Sequence, residues 1–323
     1  MLKNYYKITF RNIVRNKLFT TINILGLSVS IASCLLIFLY VSNQLGYDKQ
    51  HGGNVYRITS LLIQNSGGEF NIASSSVPIA PAIQEEIPEI LEATRMISPS
   101  FTGSKELLSV GTESFYITGG IAADSNVFSV LNYDIIIGDR ENLLPNGNSI
   151  VLEKEWSEKL FGNDNPMGKS LKLSSFYGTI ELVVSGVYDR KTFNTHYSPS
   201  YIISNNGTGW KAFLDRMSTQ WVGNNLAFTY VKIAEGASIK QIEEKIDVIF
   251  RRNGAEEMKA MGARKIMSLQ NVEDIHTNTE FNAELADVIS LTFIRVLMGI
   301  GVLILLLACV NYINLSTAQA GNR

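Results

Sequence analysis

Two long stretches without charge, one near each end, constrain this sequence more than any other feature. No Lys, Arg, Asp or Glu occurs from Leu18 to Tyr47, and within that stretch Ile22–Val41 is a mostly apolar run of 20 residues. As a helix rising about 1.5 Å per residue, that run spans roughly 30 Å, the thickness of a bilayer's hydrocarbon core. The second run, Val296–Ile313, reads VLMGIGVLILLLACVNYI and stays uncharged through Asn322. Two transmembrane helices are therefore expected, over 18–46 and 291–314, bracketing a polar region over 47–290. The first run is too long for the apolar core of a signal peptide. The SNQLGYDKQ that follows offers no small-x-small cleavage site, so the run reads as an uncleaved anchor. A pair of buried core helices could also use such runs, but neither has a charged face to turn to water.

Charge is segregated in the same way. All 30 acidic residues lie between Asp48 and Asp287, with 21 of the 28 lysines and arginines, a balance of −9 for the middle and +7 for the flanks. This pattern excludes a plain soluble globule and argues against a nucleic-acid partner, whose contacts need basic residues along one folded face. Lys3, Lys7, Arg11, Arg15 and Lys17 precede the first run with no acid among them. Positive charge this close to a span is retained in the cytoplasm. The expected topology has the N-terminus inside, 47–290 outside, and 315–323 starting a cytoplasmic segment.

Residues 1–17 also carry a pattern of their own. Lys3, Lys7, Arg11 and Arg15 recur every fourth residue, and so do Leu2, Tyr6, Phe10 and Val14. A cationic stripe beside an aromatic and aliphatic one describes an amphipathic helix in the membrane interface, in contact with lipid. Each cation near an anionic leaflet contributes about 1 kcal/mol. Within the first span Gly26, Ser30 and Ser33 fall on one face, with Cys34 beside it, and small residues at that spacing let another helix approach closely. The two cysteines, Cys34 and Cys309, both lie in the apolar runs, so no disulfide framework is expected outside.

The outer region reads as an α+β domain. Val55–Ile63 is a strand candidate, Ile79, Ile83 and Ile87 mark a short helix ending at Pro88, and a strand is expected near Thr94–Ser98. A matching set follows much later. Leu226–Ile233 reads as a strand, and Ser238 with Gln241 has the spacing of a capping box. The helix it opens carries Ile242, Ile246, Ile249 and Phe250 and is expected to close at Gly254, before a strand over Lys265–Leu269. Two split β-α-β units, about 47–100 and 206–290, would form one subdomain. The insertion at about 101–205 would form a β-rich one, with strands near Ser149–Leu152, Lys169–Leu173 and Thr179–Tyr188 and a helix stopped at Gly162.

No catalytic, cofactor or metal constellation stands out. Gly162-NDNPM-Gly168-Lys169-Ser170 has five residues between its glycines where a phosphate-binding loop needs four, and it runs from helix to strand rather than the reverse. His51, His196 and His276 are far apart in sequence and read as solvated loop residues, with Asp189 and His196 too little for a hydrolase.

Longer words carry a family likeness. RNIVRNKLFTTINILGLSVSIA (11–32), YDKQHGGNVYRIT (47–59), NSIVLEKEWSEKLFGNDNPMGKSLKL (148–173) and LLLACVNYINLSTAQAGNR (305–323) resemble MacB-type and FtsX-type ABC transporter permeases with a MacB-like periplasmic core domain. The likeness runs along essentially the whole chain. It implies a porter-like β-α-β part with an inserted β-rich part. It also implies a non-catalytic permease in the bacterial inner membrane, whose periplasmic domain moves for export or mechanotransmission when a separate cytoplasmic ATPase hydrolyses ATP. A second permease copy or internal repeat half, a periplasmic adaptor and a cargo are further implied partners. Family members carry at least four spans per unit, so two spans suggest an N-terminal fragment. The rival reading is a two-span sensor with an outer ligand-binding domain. An anchored enzyme is a third.

Overall fold

The computed structural model describes residues 17–65, 67–99, 105–175, 178–207 and 210–320. Long uninterrupted apolar sequence without proline gives two long helices, α1 (Lys17–Gln44) and α7 (Leu291–Ala320). Only 6% of the apolar window of the first and 11% of that of the second is buried within the chain, whereas a soluble core helix would bury most of its length. Both are candidate membrane spans. What they cover is one stripe each: half-buried Gly26, Ser30, Ser33, Cys34 and Ile37 with buried Val41 on α1, and buried Ile294, Gly301 and Ala308 with half-buried Leu297 and Ile304 on α7. The stripes meet. A Cβ on Gly301 would stand 3.4 Å from Ile37 Cγ2, one on Gly26 would stand 3.8 Å from Asn311 Nδ2, and the Cys34 thiol donates to the Gly301 carbonyl at 3.2 Å. Ser30 turns its hydroxyl back to the Gly26 carbonyl at 2.8 Å, satisfying it within the helix.

The other unit, Tyr47–Val288, is a mixed α/β domain. It opens with β1 (Val55–Gln64), β2 (Glu69–Ile72), α2 (Ile79–Glu86) and β3 (Ile90–Ile97). The insertion that follows contains β4 (Glu106–Val110), β5 (Glu113–Ile117), β6 (Ile121–Ala123), α3 (Val127–Val130), β7 (Asp134–Ile137), β8 (Ser149–Glu153) and α4 (Lys154–Phe161). It continues through β9 (Ser170–Ser175), β10 (Gly178–Asp189), β11 (Tyr201–Ser204) and α5 (Trp210–Met217). The chain then completes the first motif with β12 (Phe228–Ile233), α6 (Ile239–Met261) and β13 (Ala263–Asn271).

Strands β13-β1-β12-β3 are neighbours in that order and pair antiparallel. Counted within this set, the order is 4-1-3-2, the split β-α-β arrangement of ferredoxin-like folds. Helices α2 and α6 cover one face, burying Ile79, Ile83, Ile242, Ile246 and Phe250 against Ile58 and Val231. The inserted strands do not form a detached sheet. They continue from β3 as β6-β11-β8-β10-β9-β4-β5, joined through the pairs Met96↔Ala123 and Ile97↔Ala122. Trp210 and Leu214 of α5 pack with Leu108, Ile150 and Leu182 of the insertion in a core that also takes in Val77, Ile97 and Ala227.

Two details of α6 differ from the sequence reading. The helix runs through Gly254 to Met261, because Gly254 faces inward where a Cβ would sit 3.3 Å from Trp221 Cβ. Termination falls instead to Gly262, in the left-handed conformation (φ 58°) that lacks a Cβ penalty. Ser238 occupies the N-cap but its side chain makes no capping bond there.

Candidate functional site

The densest polar cluster lies where the chain enters the outer domain. Asp48 follows the first residue of that unit and adopts a positive φ of 63°, a conformation in which Asp is among the better tolerated non-glycine residues. Its carboxylate is fully buried. It accepts from Thr195 Oγ1 at 2.8 Å, from the His196 backbone N–H at 3.0 Å and from His196 Nδ1 at 2.9 Å. His51 Nε2 lies 3.3 Å away. The His51 tautomer follows from its other nitrogen: Nδ1 accepts the Asn132 backbone N–H at 2.8 Å, so Nε2 carries the proton toward Asp48. Burial alone would raise the Asp48 pKa. The charge and hydrogen bond of His196 and the hydrogen bond from His51 overcome it and hold the carboxyl well below its usual range.

The cluster extends on both sides. His196 Nε2 meets Tyr230 Oη at 2.7 Å, and His276 stacks on Tyr47 with ring centroids 3.6 Å apart. Burial depresses the pKa of His276. All three histidines are thus at least 92% buried and gathered around Asp48, which corrects their reading as solvated loop residues. Asp189 is not the partner of His196; it pairs with Lys154 at 2.9 Å. The physical reason is tertiary: Asp48 and His196 are 148 positions apart and meet only when the insertion folds back. Asp48 and His51, three apart, share one turn, and that spacing is the only local signal of the cluster.

A second buried cluster holds the segment that leaves the domain. Arg57 on β1, with no exposed surface, donates Nη1 and Nη2 to Glu284 at 2.5 and 2.7 Å, and Nη2 also to Gln270 Oε1 on β13 at 2.7 Å. The two-pronged geometry matches a guanidinium to a carboxylate. The Phe281 ring centroid lies 5.8 Å from the guanidinium carbon. A third buried charge, Lys265 on β13, donates to Ser76 Oγ at 2.5 Å and to the Asn224 carbonyl at 3.2 Å. Burial pushes its pKa down to about 7.

Among the described residues no group of three His, Cys, Asp or Glu side chains is placed to hold a metal ion. Residues 162–170 join α4 to β9, with Lys169 paired to Asp164 rather than facing a phosphate cradle. A polar groove of about 570 Å³ runs between Gln84 and Glu92 on one side and Ser125, Asn126 and Arg140 on the other. The Arg140 guanidinium is already engaged by the Phe128 and Tyr133 carbonyls. Of the residues singled out in the sequence, Lys3, Lys7, Arg11, Arg15, Tyr6 and Phe10 lie outside the described residues. Gly26, Ser30 and Ser33 share the half-buried stripe of α1 that faces α7.

A split α/β domain between two apolar helices matches one family model, the MacB-like periplasmic core domain, over residues 20–249. The chain belongs to that family. MacB-like periplasmic core domains are parts of ABC-transporter-type permeases, and the two candidate spans fit a membrane protein of that kind. The fold is similar to a solved domain from Porphyromonas gingivalis assigned to a permease protein, with a TM-score of 0.57 at 20% identity, over 76% of this chain and 97% of that one. Fainter likenesses reach the periplasmic region of MacB from Actinobacillus actinomycetemcomitans (TM-score 0.43, 17% identity, 69% and 91% covered). They also reach the extracellular domain of the ABC-type transporter YknZ from Gram-positive bacteria (0.41, 14%, 66% and 100%). No curated protein matches the chain.

Proposed function

We propose that this MacB-like chain is the non-catalytic membrane subunit of an ABC transporter, whose outer domain moves when a separate cytoplasmic ATPase binds and hydrolyses ATP. The observation that carries the reading is the pairing of the family's core domain with two apolar helices that bury only one narrow stripe between them. Such a helix pair leaves most of its surface apolar, as contact with lipid or with the helices of a second permease copy or repeat half requires. The cations at Lys3, Lys7, Arg11, Arg15 and Lys17 support an N-terminus in the cytoplasm of a bacterial inner membrane, and so an outer domain in the periplasm. Together with Tyr6 and Phe10 they would bind the inner leaflet, at the level where an ATPase would press. Gly26, Ser30 and Ser33 serve helix packing. A periplasmic adaptor or a cargo would engage the outer domain, and the work is export or mechanical signalling to the envelope.

The test begins with topology. In spheroplasts, a cysteine replacing the exposed Tyr116 should react with a membrane-impermeant maleimide, and one replacing Lys3 only after permeabilisation. The chain should also co-purify from its native membrane with an ABC ATPase whose hydrolysis rate changes on its removal. A sensor kinase co-purifying in its place, or reversed labelling, overturns the reading.

A further inference from the structure

The two buried clusters share an unusual placement: each fastens one of the chain's two connections to the membrane helices. Asp48 stands two residues beyond Gly46, where the helical unit ends, and Glu284 five residues before Ile289, where it resumes. The direct hydrogen bonds of the two carboxylates run to different parts of the domain, while Tyr47 stacks on His276 and His196 reaches Tyr230 on β12 between them. Asp48 is bonded to Thr195 and His196, in the inserted segment between β10 and β11, and its backbone N–H donates to the Asn194 carbonyl at 2.8 Å. The neighbouring turn is tied to Asn132, again in the insertion, through His51 Nδ1 and the Gln50 carbonyl. Glu284, in contrast, is bonded to Arg57 on β1, which also holds Gln270 on β13, both in the split sheet. Nearby, the Asn282 backbone N–H donates to the Asn71 carbonyl at 2.8 Å and the Ala73 N–H to the Asn282 carbonyl at 3.0 Å, again onto the β1–β2 side.

We propose that the entry and exit of the outer domain are separately clasped, Asp48 delivering movement of the first helix to the inserted strands and Glu284 that of the second helix to the split sheet. Buried ion pairs are costly to desolvate and often no better than apolar packing for stability. What they do impose is one geometry, because a buried charge that loses its partner is left stranded. Each clasp therefore makes a stiff joint out of a segment that would otherwise be loop. Relative displacement of the helices then becomes shear between inserted strands and split sheet, which are joined by the short β3–β6 pairing. Tyr230 stands where the clasps meet: its hydroxyl contacts His196, and on β12 it is the register partner of Arg57. The other ionisable groups facing this region are Tyr47, Tyr133, Tyr188, Tyr197 and His276. This inference rests on the permease reading for its purpose, but neither test below needs the ATPase.

The full chain is placed in lipid nanodiscs and amide hydrogen exchange is mapped for Asp48→Asn and Glu284→Gln. Asp48→Asn should accelerate exchange at least tenfold at 49–51, 132–133 and 194–197, leaving β13 and 281–285 as in the wild type. Glu284→Gln should do the reverse. If either substitution loosens both sets, or neither set, the separate clasps are overturned. Should Asp48→Asn unfold the domain, Thr195→Val removes one bond to the same carboxylate and must give the same map at lower amplitude. The second arm uses spin labels at Tyr116 on β5 and Val248 on α6, in phosphatidylcholine bilayers of short and long acyl chains, which change helix tilt through hydrophobic mismatch. The mean label distance should shift with bilayer thickness in the wild type and not in Asp48→Asn. No shift in the wild type, or an equal shift in the variant, overturns the coupling. Failure here leaves the ATPase co-purification to judge the permease reading on its own.

Discussion

At the scale of single residues the outer domain invests heavily in buried charge. Lys265 is the clearest case, its amine 1% exposed and its pKa pushed down to about 7 by burial. In the unfolded chain that amine titrates near its ordinary value of about 10.4. Between the two values the unfolded state binds more protons than the folded one, so this group's contribution to stability is full above the unfolded pKa and is lost as pH falls through the folded one. Chemical denaturation of the detergent-solubilised protein should show wild-type stability rising between pH 7 and pH 10 relative to Lys265→Met, by about 2–4 kcal/mol. Parallel pH profiles would show that the amine stays charged inside. Nothing in the residue order announced this burial: Lys265 sits in a strand among Ala263, Arg264 and Ile266. The side chain is enclosed because the Ser76 and Asn224 loops close over it.

At the scale of elements, local patterns served well wherever burial follows the backbone period. In the first half of the split motif, the observed strand and helix agree with the strand expected over Val55–Ile63 and with the four-residue spacing of Ile79, Ile83 and Ile87. Helix α6 shows the limit, since two glycines eight positions apart look alike in sequence and do opposite things. Gly262→Ala puts a Cβ at φ 58° and should cost about 1 kcal/mol. Ser238→Ala removes no side-chain bond and should stay within about 0.5 kcal/mol, and urea denaturation of both variants decides this. The packed pair of apolar helices allows a different check. In a Cys34→Ser, Cys309→Ser background, cysteines replacing Gly26 and Asn311 should form a disulfide rapidly under mild oxidation in membranes. Gly301→Leu should slow it several-fold by pushing Ile37 away. An unchanged rate would mean the stripes do not pack as a pair.

At the scale of the whole molecule, the inserted strands and the split sheet share one hydrogen-bonded ladder, and the core of the inserted strands takes in Val77, Ile97 and Ala227 from the split motif, while the helices α2 and α6 cover a core of the split motif's own residues. A third core, with Phe128, Tyr133, Tyr188 and Tyr230, contains residues from both. That shared core should make the outer domain unfold as one cooperative unit. Single-tryptophan variants retaining Trp210, in the insertion's core, or Trp221, beside the split motif's core, should report coincident denaturation midpoints. Separated midpoints would show that the two parts are independent domains.

Composition alone determined the organisation of this protein. Charge-free runs cannot face water along their length, and carboxylates do not sit in hydrocarbon, so the absence of acid outside 48–287 divides the chain into two candidate spans and a polar domain between them. Periodicity determined the split β-α-β motif, because burial on one face repeats every two or every 3.6 residues. Only the tertiary structure decided the rest. The continuity of the sheet depends on two residue pairs between β3 and β6, too few to leave a pattern. The clasps join Asp48 to His196 and Arg57 to Glu284, 148 and 227 positions apart. A buried charge is placed by whichever partner the fold brings to it, and that partner has no fixed distance along the chain.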